Sequence, residues 1–222
     1  ATASLAIGRH IAGLAAERAA VEDQAETLHA ALLQHADAPA GLRVHALGPL
    51  HVERLGQPVE RWGGDKAGTR QAQGLFAFLF DRGERGVTKD EVLELIWPDI
   101  DIERADLAFH RTMVGLRQTI DPGRTGRTGQ AIRFHNDRYR LDPGIVDWSD
   151  SQIFLARLDA ARAAPEAPAR LALLEEARAL YRGDYMDDCP FYGDSTEVEG
   201  QRAHLRARAT DLRLAIGETY EA

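Results

Sequence analysis

The stretch from Ile96 to Ile120 constrains the fold more than any other part of the sequence. Pro98 cannot continue a helix and biases Trp97 toward extended backbone, so a preceding helix has to end here. Asp101 is a favourable N-cap, and the residues after it keep helical spacing. The pattern predicts a tight turn that leads into a long helix. The apolar residues of that helix fall on one stripe: Ile102, Ala105, Phe109, Met113, Leu116 and Ile120.

The opposite face of the long helix carries side chains that we expect in solvent, with Gly115 at its flank. Most surface helices have a polar outer face, so this helix alone does not establish DNA binding. If the helix lies in a major groove, however, these side chains meet bases and phosphates. They are Arg104, Leu107, His110, Arg111, Val114, Arg117 and Gln118.

The elements before the long helix predict a small sheet and two more helices. A helix is predicted over residues 69–81. Thr88 and Glu91 have the spacing of a capping box, which opens a short helix ending near Ile96. Period-two patterns predict three short strands: residues 42–47, 50–55 and 59–62.

The elements after the long helix predict a hairpin. A glycine- and arginine-rich loop occupies residues 123–129, and strands are predicted over 131–134 and 139–141. A small N-terminal antiparallel sheet, three helices and a C-terminal wing hairpin make an α+β winged helix-turn-helix. We therefore assign residues 42–143 to a winged-helix DNA-binding domain.

The two ends of the chain are predicted to be helical. Residues 1–36 show a coiled-coil-like seam over about four heptads, which indicates either a dimeric coiled coil or a helix that docks on the rest of the protein. Residues 37–41 form a linker. Residues 144–222 are predicted to form an all-α, tetratricopeptide-like domain. From Asp147 onward its amphipathic stretches are Trp148 to Ala163, Ala167 to Arg182 and Thr196 to Tyr220.

The net charge of −8 is unevenly distributed. Residues 1–41 carry 2 basic and 5 acidic side chains, residues 42–146 carry 16 and 15, and residues 147–222 carry 9 and 15. The middle segment is therefore the only one without an acidic excess, and a DNA-binding surface is expected there.

Several function classes lack sequence support. No apolar run reaches the roughly 20 residues of a membrane span, and no signal peptide is visible. The single cysteine, Cys189, suits a reducing cytoplasm and a packing role. No metalloprotease, Cys-x-x-Cys, dinucleotide or phosphate-loop motif occurs, so we expect no enzyme, cofactor or metal. Asp184, Asp187 and Asp188 are more typical of a solvated loop than of a cation site.

Several motifs, in this order and spacing, resemble known families. They are Leu47-Gly48-Pro49-Leu50, Leu95-Ile96-Trp97-Pro98-Asp99, Phe109-His110 with Leu116-Arg117, Arg138-Tyr139-Arg140-Leu141, Val146-Asp147 and Ala179 to Tyr185. Residues 42–141 resemble the OmpR/PhoB-type winged-helix domain. The residues after them resemble the bacterial transcriptional activation domain. The tandem is similar to antibiotic-pathway regulatory (SARP-like) activators, relatives of which continue with further helices.

The resemblance implies a DNA-binding transcriptional regulator, with an activator as the expectation. His110 and Arg111 would face base edges, and Val114 would meet a thymine methyl. Promoter duplex, RNA polymerase or a regulatory protein, and a second copy of the chain are the implied partners. The residues expected to hold phosphates are Arg104, Arg117, Arg138 and Arg140.

The sequence departs from the family pattern in the recognition helix and in the wing. Val114, Gly115 and Gln118 stand where arginine or lysine is common, and Arg138 stands where glycine commonly precedes the tyrosine. These departures leave a second interpretation open. The chain would then be a protein-interaction or signalling module whose winged helix no longer reads DNA.

Overall fold

The computed structural model describes residues 41–63, 68–121 and 131–221, all within one compact unit spanning Pro39–Ala222. The predicted helix over residues 1–36, most of the linker and the loop over 123–129 lie outside the described residues. The coiled coil and the dimer therefore stay predictions.

The N-terminal sheet has four strands in the order β3-β2-β1-β6. They are β1 (Leu42–His45), β2 (His51–Arg54), β3 (Gln57–Pro58) and β6 (Val146–Ser149). Strand β2 pairs antiparallel with both β1 and β3, whereas β6 pairs parallel with β1.

The third strand lies earlier than predicted and is shorter. The Val59 amide still donates to the Val52 carbonyl at 2.8 Å, but residues 60–62 leave the sheet. Their departure allows the Trp62 indole to be buried against Phe76, with ring centroids 5.0 Å apart. Burial of this aromatic side chain accounts for the short strand.

Three helices follow the sheet, as predicted: α1 (Thr69–Arg82), α2 (Lys89–Ile96) and α3 (Ile102–Ile120). The capping box is confirmed, because the Thr88 hydroxyl accepts from the Glu91 amide and the Glu91 carboxylate accepts from the Thr88 amide. The Asp101 carboxylate accepts from the Arg104 amide at 3.1 Å and caps α3. Local capping thus fixes where both helices begin.

The apolar stripe of α3 is buried from Ala105 to Ile120, in the same core as α1. The prediction was wrong for Ile102, which is 75% exposed in the first turn. Gly115, expected at the flank of the outward face, is buried and lies beside Gly63. The stripe is buried only where another element covers it, and this begins with the second turn of α3.

The hairpin, hereafter the wing, consists of β4 (Ile132–His135) and β5 (Arg138–Leu141). Asn136 and Asp137 between them both have positive φ, at 50° and 60°, as a two-residue type I′ turn requires. Tyr139 exchanges two backbone hydrogen bonds with Val87, of 2.8 and 2.9 Å. The wing is thereby attached to the segment before α2.

Three helices form the C-terminal part: α4 (Asp150–Ala163), α5 (Ala167–Leu180) and α6 (Glu199–Glu221). The prediction that the chain is helical from Asp147 was wrong, since Asp147 and Trp148 belong to β6. The local pattern is too short to reveal this strand, which forms only by pairing with β1 about a hundred residues earlier. A small sheet is therefore followed by helices, and the predicted boundary at residues 143/144 stays a prediction.

Candidate nucleic-acid interface

The turn between α2 and α3 determines how α3 is presented. Trp97 ends α2, and its buried side chain holds the turn against the core. The C-terminal half of α3 is fixed by Thr119, whose hydroxyl accepts from the Gly63 amide at 2.8 Å and whose carbonyl accepts from Arg54 at 2.7 Å. Because both ends are anchored and one face is buried, the opposite face is held in solvent.

Most of the predicted outward side chains of α3 are exposed. Two of these side chains lie beside carboxylates: Arg104 Nε is 3.2 Å from Asp101 Oδ2, and His110 Nε2 is 3.6 Å from Asp106 Oδ2. Arg111 differs, because it forms no hydrogen bond or ion pair with any residue that the structure describes. The exposed set is Arg104, Leu107, His110, Arg111, Val114 and Gln118.

Apolar groups make up much of this face. Leu107 is 52% exposed and Val114 is 53% exposed, two helical turns apart. A shallow depression of about 360 Å³ surrounds Val114. Its lining residues are His110, Arg111, Val114, Gly115 and Gln118, none of which carries a carboxylate.

Arg117 does not lie on the exposed face. Its guanidinium is half-buried and donates to the Ile132 carbonyl at 3.2 Å, and burial lowers its pKa. The sequence-based expectation of a solvent-facing phosphate contact is therefore corrected: Arg117 joins α3 to the first residue of the wing. The helical wheel placed it at the edge of the face, where a long side chain turns either way.

Arg138 also points inward. Its guanidinium donates to the Gly86 carbonyl at 3.1 Å and to Glu91 Oε2 at 3.3 Å. Partial burial raises the pKa of Glu91, but the hydrogen bond from the Thr88 amide and the charge of Arg138 together lower it below its ordinary value. Arg138 was expected at the tip as a phosphate contact, but the structure places it as the anchor between the wing and the start of α2.

Arg140 is half-buried beside Gly86. A Cβ atom on Gly86 would lie 2.5 Å from Arg140 Cγ and 2.6 Å from the Tyr139 carbonyl oxygen, and φ of Gly86 is +65°. Glycine is therefore required at this position. Arg140 lies in a cleft of about 1050 Å³ that also includes Phe80, Glu84 and Phe134.

The exposed side chains of the wing are ones that the sequence reasoning missed. Arg133, Phe134 and His135 on β4 all face solvent, and Phe134 is 54% exposed. The Phe134 ring lies 4.6 Å from that of Tyr139, and Arg133 pairs with Asp142. The sequence signal that could have identified these side chains is the two-residue turn at 136–137. This turn pairs His135 with Arg138 and therefore sets which residues flank the tip of the wing.

Neither a metal site nor a membrane span is found in the described part of the chain. No group of three or more His, Cys, Asp or Glu side chains is arranged to hold a metal ion there. Asp184 pairs with Arg206, and Asp188 accepts from the Leu50 amide at 2.9 Å. Burial raises the pKa of the Cys189 thiol to about 12, which leaves it protonated at neutral pH. Among the helices of the described residues, none has both the length and the hydropathy of a membrane-spanning segment.

Comparison with known proteins supports the fold. No protein-family profile and no curated protein matches the sequence. Among solved structures, the chain is similar to Mycobacterium tuberculosis EmbR in complex with a low affinity phosphopeptide, with a TM-score of 0.63 and 23% identity. The match covers 80% of this chain and 45% of the EmbR chain. At this identity the similarity shows a shared fold, and this chain spans less than half of EmbR.

Proposed function

We propose that the protein is a DNA-binding transcriptional regulator that inserts α3 into the major groove of promoter DNA. The observation that carries the proposal is the outward face of α3, where Arg111, which has no ion pair among the described residues, lies between the exposed Leu107 and Val114. The fold shared with EmbR and the sequence resemblance to SARP-like activators both agree with this assignment.

The proposed contacts are divided between reading and positioning. Arg111 and His110 face base edges. Arg104 leaves its ion pair with Asp101 and binds a phosphate instead. On the wing, Arg133 and His135 are the exposed candidates for backbone contacts. Arg117 and Arg138 act indirectly, because they hold the wing at a fixed position relative to α3.

The helical part supplies the second half of the proposal. We assign α4 to α6 to a tetratricopeptide-like activation module that contacts RNA polymerase or a regulatory protein. Its exposed apolar side chains Leu214 and Tyr220, together with the acidic excess after residue 147, support a protein partner. A homodimer through residues 1–36 would place two winged helices on paired half-sites.

Fluorescence anisotropy with promoter fragments and random duplexes at 50 and 200 mM salt tests DNA binding. We expect binding that weakens with salt, because phosphate contacts release counterions. Arg111→Ala should weaken binding, while the matched control Arg162→Ala, an exposed arginine on α4, should not. Absence of salt-sensitive binding at 50 mM salt would refute the proposal.

A specific observation favours the second candidate, a protein-interaction module. Ile102, Leu107 and Val114 are all exposed on α3, while Arg117 and Arg138 are engaged inside the protein. Under this interpretation the face of α3 binds protein. Two results together would support this interpretation over DNA binding. The parent protein would show no affinity for DNA, and it would capture a protein partner that Leu107→Glu no longer captures.

A further inference from the structure

The outward face of α3 carries two exposed apolar side chains, Leu107 and Val114, among its polar ones. Within its exposed set, His110 and Arg111 lie near the middle of the helix and Gln118 lies in its last turn, with Leu107 before the first two and Val114 after them. A face built to read guanine would carry more guanidinium groups, because arginine pairs bidentately with guanine. The composition of this face therefore points to a different base.

The depression around Val114 has the shape and chemistry for a small apolar group. Gly115, which has no side chain, forms part of the lining beside Val114. Arg111, His110 and Gln118 surround the depression, and no carboxylate lines it. An occupant with an apolar centre and negative charge around it fits this surface.

The major groove presents one apolar group, the C5-methyl of thymine, and phosphates flank it on both strands. Resting on the proposed function, we infer that α3 selects thymine-containing sites by packing thymine methyls against Val114 and Leu107. Val114 receives one methyl in the depression, and Leu107 contacts a second. Arg111 lies between them, where its guanidinium reaches a base edge or a phosphate.

The helix geometry sets the spacing of the two thymines. Leu107 and Val114 are seven residues apart, which corresponds to about 10.5 Å along the helix axis. Base pairs in B-DNA are stacked at about 3.4 Å, so the two contacts fall about three base pairs apart when α3 runs parallel to the stack. The preferred site should contain two thymines at that separation.

The experiment begins with selection of binding sites from a random duplex library by the full chain. Each thymine of the selected site is then replaced by deoxyuridine, which removes the methyl and keeps the hydrogen-bonding groups. We expect two positions about three base pairs apart at which uracil weakens binding by about four-fold each, as expected for the loss of one buried methyl.

Variants of the protein then assign each methyl to a side chain. Val114→Ala should abolish the effect of uracil at one position and keep it at the other, and Leu107→Ala should do the converse. Both side chains are exposed and alanine favours helix, so both variants should fold. Leu55→Ala, at a position 48% exposed in the turn after β2, serves as the control and should keep both effects.

The outcomes separate this inference from the proposed function. Two outcomes overturn the inference and keep DNA binding, provided that binding to the selected site is salt-sensitive. In the first, uracil has no effect on binding; in the second, uracil has the same effect in Val114→Ala as in the parent. Absence of selected sequences together with absence of salt-sensitive binding to any duplex overturns both.

Discussion

His45 on β1 is the residue at which we expect the clearest pH dependence. Its Nδ1 accepts from Arg182 Nη2 at 2.9 Å, and since arginine has only donors, the proton of the neutral ring resides on Nε2. Burial and the charges of Arg182 and His51 lower the pKa of His45 below its ordinary value of 6.5, against the opposing charges of Asp150 and Glu53.

The lowered pKa predicts a loss of stability on acidification. The unfolded chain binds a proton near pH 6.5 and the folded chain only at lower pH. The contribution is therefore complete above pH 6.5 and is lost as the pH falls toward the folded pKa. His45→Asn keeps an acceptor for Arg182 and removes the titration. Between pH 7.5 and 5.5, the melting temperature should fall further in the parent than in this variant; equal losses would contradict the assignment.

Arg111 and Arg138 should separate reading from anchoring. Arg138→Ala removes hydrogen bonds to Gly86 and Glu91 and should lower the free energy of unfolding by about 1–2 kcal/mol. Arg111→Ala should change it by less than about 0.5 kcal/mol, because the side chain is exposed. On the preferred DNA site, however, Arg111→Ala should cost about 1–3 kcal/mol and much less on random duplexes. Denaturant titration and anisotropy measure the two effects, and equal losses on every duplex would exclude base reading by Arg111.

At the scale of the element, α3 depends on its buried stripe. Phe109 is fully buried and packs edge-on to Tyr139 of the wing, with ring centroids 5.3 Å apart. Phe109→Ala should lower the free energy of unfolding by about 3–5 kcal/mol, through lost burial and a cavity. Leu107→Ala, on the exposed face of the same helix, should change it by less than about 0.5 kcal/mol. Chemical denaturation of both variants provides the measurement, and a parent-like Phe109→Ala would show that this core is not required.

Elements with local signals were predictable, and elements that depend on distant contacts were not. The caps at Thr88 and Asp101 and the stripe of α3 are encoded within a few residues. Strand β6 exists because β1 offers an edge for pairing, and four residues carry too little pattern to show it. Likewise, a helical wheel places Arg117 near the outer face, but the Ile132 carbonyl determines where its guanidinium goes. The sequence therefore predicted correctly that Arg111 and Val114 lie on the exposed face, but it did not predict what the arginines of the wing contact.

At the scale of the whole described unit, the helical part is joined to the N-terminal sheet through buried polar contacts. Asp150 at the start of α4 is 1% exposed, and its carboxylate accepts from the amides of Ala46 and Leu47 at 2.7 and 3.1 Å. The segment between α5 and α6 adds backbone hydrogen bonds from Met186 to Ala46 and from Gly48 to Asp184. Both the start of α4 and the segment between α5 and α6 are therefore hydrogen-bonded to the residues that follow β1.

The density of these contacts predicts that the sheet and the helices unfold together. Pro190 also covers α1 so closely that a Cβ atom on Gly74 would lie 2.7 Å from its carbonyl oxygen. Asp150→Ala leaves two buried amides without an acceptor and should lower the free energy of unfolding by about 2–5 kcal/mol. Asp159→Ala, on the exposed face of the same helix, is the matched control and should change it by less than about 1 kcal/mol.

Two probes that report on different regions test this cooperativity. Tryptophan fluorescence reports mainly on Trp62, Trp97 and Trp148, which lie in or beside the sheet and α2, whereas far-UV circular dichroism reports on all helices. In the parent and in Asp150→Ala the two transitions should coincide, with the variant shifted to lower denaturant concentration. If the fluorescence transition stays at its parental position while the helical signal is lost early, the helices unfold independently of the sheet. A partner bound to α4–α6 would then not act on the sheet through these contacts, and any coupling to the proposed DNA binding would depend on the covalent connection alone.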